Sequence, residues 1–245
     1  MEKSVSHSGK ATLTIALCFA IAIFEGFDLQ SMGVAAPRMR AEFGLDNAQM
    51  AWAFSAATLG TLPGALLGGR FADKIGRKKV LMFSILLFGI MSILTAFASQ
   101  YSVLILIRFL TGLGMGGALP MMITLASEAV SDKYKGTAVS IMYSGIPFGG
   151  MLTSFVAMAL AGDSEWRHIF YIGGLAPVLM IPLLLKFLPE SNAYLVKGSQ
   201  ATVPFMQVLF AKERRFSTVQ IWISFFCTLV VLYFLLKNFQ KQMLQ

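Results

Sequence analysis

Long apolar stretches without charged residues are the feature that most restricts the fold of this 245-residue chain. Hydrophobic residues make up 56% of the sequence and charged residues only 13%, and the charges gather between the apolar stretches. A helix of about 20 apolar residues crosses the hydrocarbon layer of a bilayer. Six runs without Asp, Glu, Lys or Arg approach or exceed this length: 48–69, 80–100, 109–127, 136–162, 169–185 and 216–236.

A further apolar segment, roughly Thr12 to Pro37, carries two acidic residues and brings the predicted spans to seven. Cytoplasmic loops of membrane proteins are rich in Lys and Arg. Most of the basic residues fall on one side of the membrane if the N-terminus is cytoplasmic, so topology accounts for the formal net charge of +8. The sequence therefore predicts an all-α protein of the bacterial inner membrane, surrounded by the lipid bilayer, with no soluble face for nucleic acid.

The first and fourth spans resemble each other at a constant offset of 83 residues. This offset aligns Glu25 with Arg108 and Pro37 with Pro120. The second and fifth spans continue the match at an offset of 84, with Pro63 opposite Pro147 in the alignment. Spans one and four cross in opposite directions, so the pattern indicates an inverted repeat of three helices. Secondary transporters are often built this way, with the substrate site at the repeat interface.

Three charged residues lie inside the predicted spans: Glu25 and Asp28 in the first, and Arg108 in the fourth. Each costs about 2.5–3.5 kcal/mol at the centre of a span, so charges kept there indicate function. Glu25 and Asp28 share a helix face, and their depth places them within reach of the Arg108 side chain. We therefore expect a carboxylate near the guanidinium, coupling protons to substrate. A charge pair that only locks two helices together is the alternative.

Small residues in the fourth and fifth spans predict close helix packing. Gly112 and Gly116 follow Arg108 at intervals of four residues, on the face of the arginine. Such spacing allows two backbones to approach. The fifth span combines Pro147 with glycines, which favours a bend. The glycines concerned are Gly145, Gly149 and Gly150.

The segment 69–79 reads Gly-Arg-Phe-Ala-Asp-Lys-Ile-Gly-Arg-Lys-Lys between two apolar spans. Charge topology explains its basic residues but not the glycines and the acid at these spacings. The segment resembles the cytoplasmic loop between the second and third helices of major facilitator superfamily transporters. The residues that fill the pattern are Gly69, Asp73, Lys74, Gly76, Arg77, Lys78 and Lys79.

This resemblance implies a six-helix half of a twelve-helix transporter, made of two inverted three-helix repeats, plus a seventh helix. It implies a gating role for the loop, in which Asp73 contacts helix ends and holds the inside closed. Glu128, ahead of the basic residues between the fourth and fifth spans, resembles the repeat-related part of that gate.

Glu25-Gly26-Phe27-Asp28 resembles the first-helix signature of the aromatic acid:H⁺ symporter family, close to transporters of 3-(3-hydroxyphenyl)propionate and related phenylpropanoids. The resemblance implies import of a small aromatic carboxylate with a proton, driven by the proton gradient. Arg108 would hold the anion, and Tyr143 and Phe148 would contact the ring. We find no metal, nucleotide or redox cofactor motif, and no nucleophile–base constellation of an enzyme.

We expect a cytoplasmic arm at 1–11, the six-helix half at 12–188, a cytoplasmic loop at 189–215, a seventh span at 216–236 and an aberrant tail at 237–245. Lys237 and Lys241 would fall on the non-cytoplasmic side of the membrane, against the charge rule. A truncation or frameshift is the economical explanation. The alternatives are a homodimer that forms a working transporter, a proton-driven exporter, and an interaction or sensory module that does not transport.

Overall fold

The computed structural model describes residues 2–160, 166–197 and 216–231, except 225 and 229. The chain divides into two compact units, Met1–Gln200 and Ala201–Gln245. Within the described residues the first unit is built of helices and contains no strand. The helices are α1 (Glu2–Phe43), α2 (Asn47–Ile75), α3 (Arg77–Thr95), α4 (Tyr101–Glu128), α5 (Lys135–Ala159), α6 (Arg167–Phe187) and α7 (Asn192–Lys197), with a 3₁₀ turn at Asp132–Tyr134.

Six of the described helices, α1 to α6, are long and apolar enough to cross a membrane. This confirms the prediction of an all-α, multi-pass membrane fold. In the second unit, residues 216–224, 226–228 and 230–231 are helical. The end of the predicted seventh span, the tail 237–245 and most of the inter-half loop lie outside the described residues. The seventh span therefore stays a prediction.

Helix ends differ from the sequence prediction in two places. Helix α1 begins at Glu2 and passes through Pro37 to Phe43, so no break separates an arm at 1–11 from the first span. The predicted loop 69–79 is wrong, because α2 continues to Ile75 and α3 begins at Arg77, with Gly76 alone between them. The sequence prediction ended each span where charged side chains begin. Backbone hydrogen bonding does not depend on apolar side chains, so the helices continue beyond those points.

The helix packing follows the predicted repeat. If α4–α6 repeats α1–α3, then α1 corresponds to α4, α2 to α5 and α3 to α6. A contact between α1 and α5 must therefore recur between α4 and α2. Likewise, a contact between α3 and α4 must recur between α6 and α1. All four contacts are present, and α3 also packs on α6.

Glycines bring the backbones of the paired helices together. A Cβ at Gly112 or Gly116 of α4 would overlap the carbonyl oxygen of Ala57 or Thr61 on α2. Between α1 and α5 the same holds for Gly145 and Gly149, which meet the carbonyl oxygens of Phe19 and Ile23. Gly150 has more room, and α5 is helical throughout Lys135–Ala159, with Pro147 inside it.

We expect Gly112→Ala to destabilise the bundle by about 1–3 kcal/mol, the usual cost of overpacking a dense interface. The neighbour is a backbone carbonyl, which cannot move aside as a flexible side chain does. Gly33→Ala is the matched control, because the nearest atom to its Cβ would be 3.9 Å away. Thermal unfolding in detergent measures both variants. Equal unfolding temperatures for the two would contradict the close packing.

Candidate functional site

A buried ion pair joins α1 to α4 in the middle of the bundle. The Arg108 guanidinium donates through Nη2 to Asp28 Oδ2 at 2.8 Å and through Nη1 to Asp28 Oδ1 at 3.2 Å. Asp28 is 0% exposed and Arg108 is 1% exposed. The Arg108 guanidinium also lies 5.7 Å from the centre of the Phe170 ring of α6. The expected carboxylate–guanidinium contact is thus present, with Asp28 as the carboxylate.

The pair is enclosed by two apolar clusters, one toward each end of the bundle. One cluster includes Ile21 of α1 and Met122 of α4. The other includes Met32 of α1 and Leu104 of α4. Charges between two apolar layers are held in a medium of low effective dielectric constant, where their interaction is strong and the loss of one partner is costly.

Ser92 of α3 completes the contacts of Asp28. Its buried hydroxyl donates to Asp28 Oδ1 at 2.7 Å, so this oxygen accepts from both α3 and α4. The sequence analysis missed Ser92, because a serine in an apolar span carries no signal of its own.

Glu25 lies one helical turn before Asp28 and is 8% exposed. Its Oε2 atom has no hydrogen-bond partner in the described part of the chain. Asp28 and Tyr143 both lie within electrostatic reach of its carboxyl group. A buried carboxyl group without a partner is most costly in its ionised form, so Glu25 is chemically distinct from the paired Asp28.

The two aromatic candidates of α5 lie on the surface of the six-helix unit. Tyr143 is 38% exposed and Phe148 is 43% exposed. The Phe148 ring is 6.3 Å from that of Phe19 on α1. Both rings are exposed on this unit, and Tyr143 lies on the side of Glu25.

At the α2–α3 junction, a distant carboxylate caps the beginning of α3. Glu190 Oε1 accepts from the backbone N–H groups of Arg77 at 2.8 Å and Lys78 at 3.0 Å. Gly76 has a φ of +100°, which favours glycine, and a Cβ there would overlap the Glu190 carboxylate. The glycine of the sequence pattern is therefore explained by backbone conformation and by the approach of this cap.

Arg77 connects this junction to the end of α4. Its guanidinium donates to the Ser191 hydroxyl, which in turn donates to Glu128 Oε2 at 2.7 Å. Arg77 and Glu128 are also 3.7 Å apart as an ion pair. Two further contacts join α2 to Tyr194 and α3 to α6: the Tyr194 hydroxyl donates to the Lys74 carbonyl, and Lys78 Nζ donates to the Leu185 carbonyl.

Three residues of the 69–79 pattern stay outside this cluster. Asp73 and Lys79 are exposed, and Asp73 has no ion-pair partner among the described residues. A Cβ at Gly69 would meet nothing within 4 Å. The structure thus joins Arg77 to Glu128, and it places Gly76 and Lys78 beside Glu190 and the Lys74 carbonyl beside Tyr194. It gives Asp73 no ion pair in this cluster.

Replacing Glu190 by alanine is expected to destabilise the first unit by about 1–2 kcal/mol, the range for a lost helix cap. The variant leaves two backbone N–H groups of α3 without their acceptor. Glu190→Gln keeps an acceptor oxygen and should lose less. Chemical denaturation of the purified protein measures the difference. An alanine variant as stable as the wild type would show that Glu190 does not cap α3.

A second polar cluster lies where α1 ends and α6 begins. Glu42 Oε2 accepts from Trp166 Nε1 at 2.6 Å and from Arg167 Nη1 at 3.0 Å. Trp166 is buried, and the Arg167 guanidinium lies 4.6 Å from its ring centre. The sequence analysis did not predict this contact, since the partners of Glu42 lie more than a hundred residues away.

Comparison with known proteins identifies the family. Residues 18–243 match the family model described as Major Facilitator Superfamily. The chain is 44% identical over 231 residues to the 3-(3-hydroxy-phenyl)propionate transporter of Escherichia coli K12, covering 94% of this chain and 57% of that protein. It is 33% identical over 251 residues to the gallate transporter of Pseudomonas putida, covering 90% and 56%. The chain thus spans little more than half the length of these relatives.

Solved structures agree in fold. The proton:xylose symporter XylE superposes with a TM-score of 0.73 at 21% identity, over 79% of this chain and 48% of that chain. A bacterial homologue of the human lysosomal transporter Spinster gives a TM-score of 0.68 at 19% identity, over 81% and 47%. With the family model matching most of the sequence and the helices arranged as in these transporters, the chain belongs to the major facilitator superfamily.

Proposed function

We propose that this chain forms the site-bearing half-bundle of a proton-coupled importer of small aromatic carboxylates, resembling 3-(3-hydroxyphenyl)propionate. The observation that carries the proposal is the Asp28–Arg108 pair, buried between α1 and α4. The names of the relatives, which are transporters of aromatic acids, support the substrate class.

The pair supplies a site for a carboxylate. A guanidinium binds carboxylates through two parallel hydrogen bonds, as Arg108 does with Asp28. A substrate carboxylate that takes the place of Asp28 on Arg108 leaves Asp28 without its counter-charge in an apolar surrounding. Such a carboxylate must take up a proton, so anion binding and proton uptake are coupled at one arginine.

Glu25 provides the neighbouring proton site. It lies one turn from Asp28, within electrostatic reach of it, and is buried without a partner for Oε2 among the described residues. A proton held by Glu25 passes to the Asp28 region when substrate occupies Arg108. The exposed ring of Tyr143, on the side of Glu25, then forms one wall of the aromatic site, whereas Phe148, five residues along α5, faces another side of the helix.

Alternating access requires a second half-bundle that moves against the first. We propose that this partner is either a further six-helix half or a second copy of this chain. In this arrangement the Arg77–Ser191–Glu128 cluster and the exposed Asp73 lie on the cytoplasmic side. Asp73 is then available for gating contacts with the partner.

Uptake into proteoliposomes containing the full chain tests the proposal. With an acidic exterior, labelled 3-(3-hydroxyphenyl)propionate should accumulate inside, and a proton ionophore should abolish the accumulation. The neutral amide of the same compound is the matched control and should neither bind nor compete. Calorimetric binding to the purified chain is measured in parallel. Proton-driven efflux would favour the exporter. Binding without transport would exclude a working homodimer and favour a separate partner half or a module that does not transport. Neither binding nor uptake would refute the proposal.

A further inference from the structure

Ser92 differs from its buried neighbour on α3 in where its hydroxyl donates. Thr95 is fully buried and donates back to the Met91 carbonyl of its own helix at 3.0 Å. Serine and threonine side chains in helices commonly make this local bond. Ser92 is equally buried, but its hydroxyl reaches across to α1 and donates to Asp28 Oδ1. The Ser92 hydroxyl therefore donates to the ion pair, whereas the Thr95 hydroxyl donates within its own helix.

The two donors to Asp28 Oδ1 are unequal. Ser92 Oγ lies 2.7 Å from this oxygen, whereas Arg108 Nη1 lies 3.2 Å from it. Arg108 makes its shorter bond, 2.8 Å, to Oδ2. Movement of Arg108 toward another carboxylate would thus leave Oδ1 with its closer donor in place.

Few charged groups surround Asp28 in the part of the chain that the structure describes. Arg108 faces it from α4 and Glu25 precedes it on α1. From α6 the nearby side chain is the Phe170 ring, which lies against Arg108. On α5 the titratable group is Tyr143, within electrostatic reach of Glu25. Ser92 is the uncharged donor to Asp28 among the described residues.

We propose that Ser92 is a positioning residue that holds Asp28 in line with Arg108, and so sets how readily Arg108 is released to a substrate carboxylate. This inference rests on the proposed function of the pair. The orientation of the Asp28 carboxylate depends on this donor from α3. Without the Ser92 hydroxyl, Oδ1 keeps only its longer bond to Arg108 among the described residues, and Asp28 holds Arg108 less tightly.

Ser92→Ala tests this role, with Thr95→Ala as the matched control and Ser92→Thr as the conservative variant that keeps a hydroxyl. We expect Ser92→Ala to tighten binding of 3-(3-hydroxyphenyl)propionate about tenfold at a fixed pH, because a hydrogen bond to a charged group no longer holds Asp28 on Arg108. Thr95→Ala and Ser92→Thr should bind the acid as the wild type does.

Infrared spectroscopy of the ligand-free full chain provides a readout without substrate. The carboxylate band that disappears in Asp28→Asn should change frequency in Ser92→Ala, because one oxygen of Asp28 has lost its closer hydrogen bond. An unchanged band and an unchanged affinity in Ser92→Ala would overturn the role of Ser92 while leaving the proposed function intact. A wild-type chain that binds no aromatic acid would instead refute the proposed function. An equal shift in Thr95→Ala would reduce Ser92 to a packing residue.

Discussion

Asp28→Asn is expected to abolish proton-driven uptake and to destabilise the six-helix unit by about 3–5 kcal/mol, the cost of breaking a buried ion pair. The variant removes the counter-charge of Arg108, which is buried between two apolar clusters and has 1% of its surface exposed. Uptake in proteoliposomes and thermal unfolding in detergent measure the two effects. An Asp28→Asn variant with normal uptake and normal internal acidification would exclude Asp28 from coupling.

A double variant separates coupling from a purely structural lock. Asp28→Asn with Arg108→Gln removes both charges and restores a neutral contact between α1 and α4. We expect it to regain most of the lost stability, because buried pairs are often replaceable by neutral groups, but to remain unable to transport. If uptake returned together with stability, the pair would serve only to hold the two helices together.

Glu25→Gln is expected to have a different signature: loss of gradient-driven accumulation in a protein that still folds and binds. Glutamine has nearly the shape of glutamate and no proton to exchange, and the Oε2 atom of Glu25 has no partner to lose among the described residues. Accumulation should fall to background, whereas calorimetric binding and exchange of labelled for unlabelled substrate should continue. Substrate-induced acidification inside the vesicles measures the loss of proton coupling.

Asp46→Asn is the matched control for Glu25→Gln. It makes the same acid-to-amide change at the exposed N-cap of α2, where asparagine also caps well. Its uptake should equal that of the wild type. If Glu25→Gln accumulated substrate and acidified the vesicles as the control does, Glu25 would not carry the proton.

Sequence alone predicted the six long helices, the repeat and the meeting of an acid with Arg108. Apolar length and the high cost of charges in a bilayer constrain these features strongly. It did not determine which acid meets the arginine, because Glu25 and Asp28 are three residues apart on one face of α1. The choice depends on how α1, α3 and α4 pack, and Ser92 of α3 adds a donor on the side of Asp28.

The α2–α3 junction shows why some features escaped prediction. The pattern of glycines and charges in 69–79 predicts a loop. Instead, α3 begins directly after Gly76, where Glu190 caps it from more than a hundred residues away. No local pattern encodes such a partner. The same reason explains Glu42, whose contacts with Trp166 and Arg167 depend on the packing of α1 against α6.

The fastening of α6 at both of its ends has a consequence for the membrane around the protein. Arg167 holds one end to α1 through Glu42, and Leu185 at the other end is bound by Lys78 of α3. Helix α6 has 21 residues and is about 31 Å long at 1.5 Å per residue. This length is close to the thickness of the hydrocarbon layer. A helix pinned at both faces cannot slide to match a thinner or thicker bilayer. Differences in lipid chain length must therefore be met by tilting of the whole six-helix unit or by deformation of the lipid.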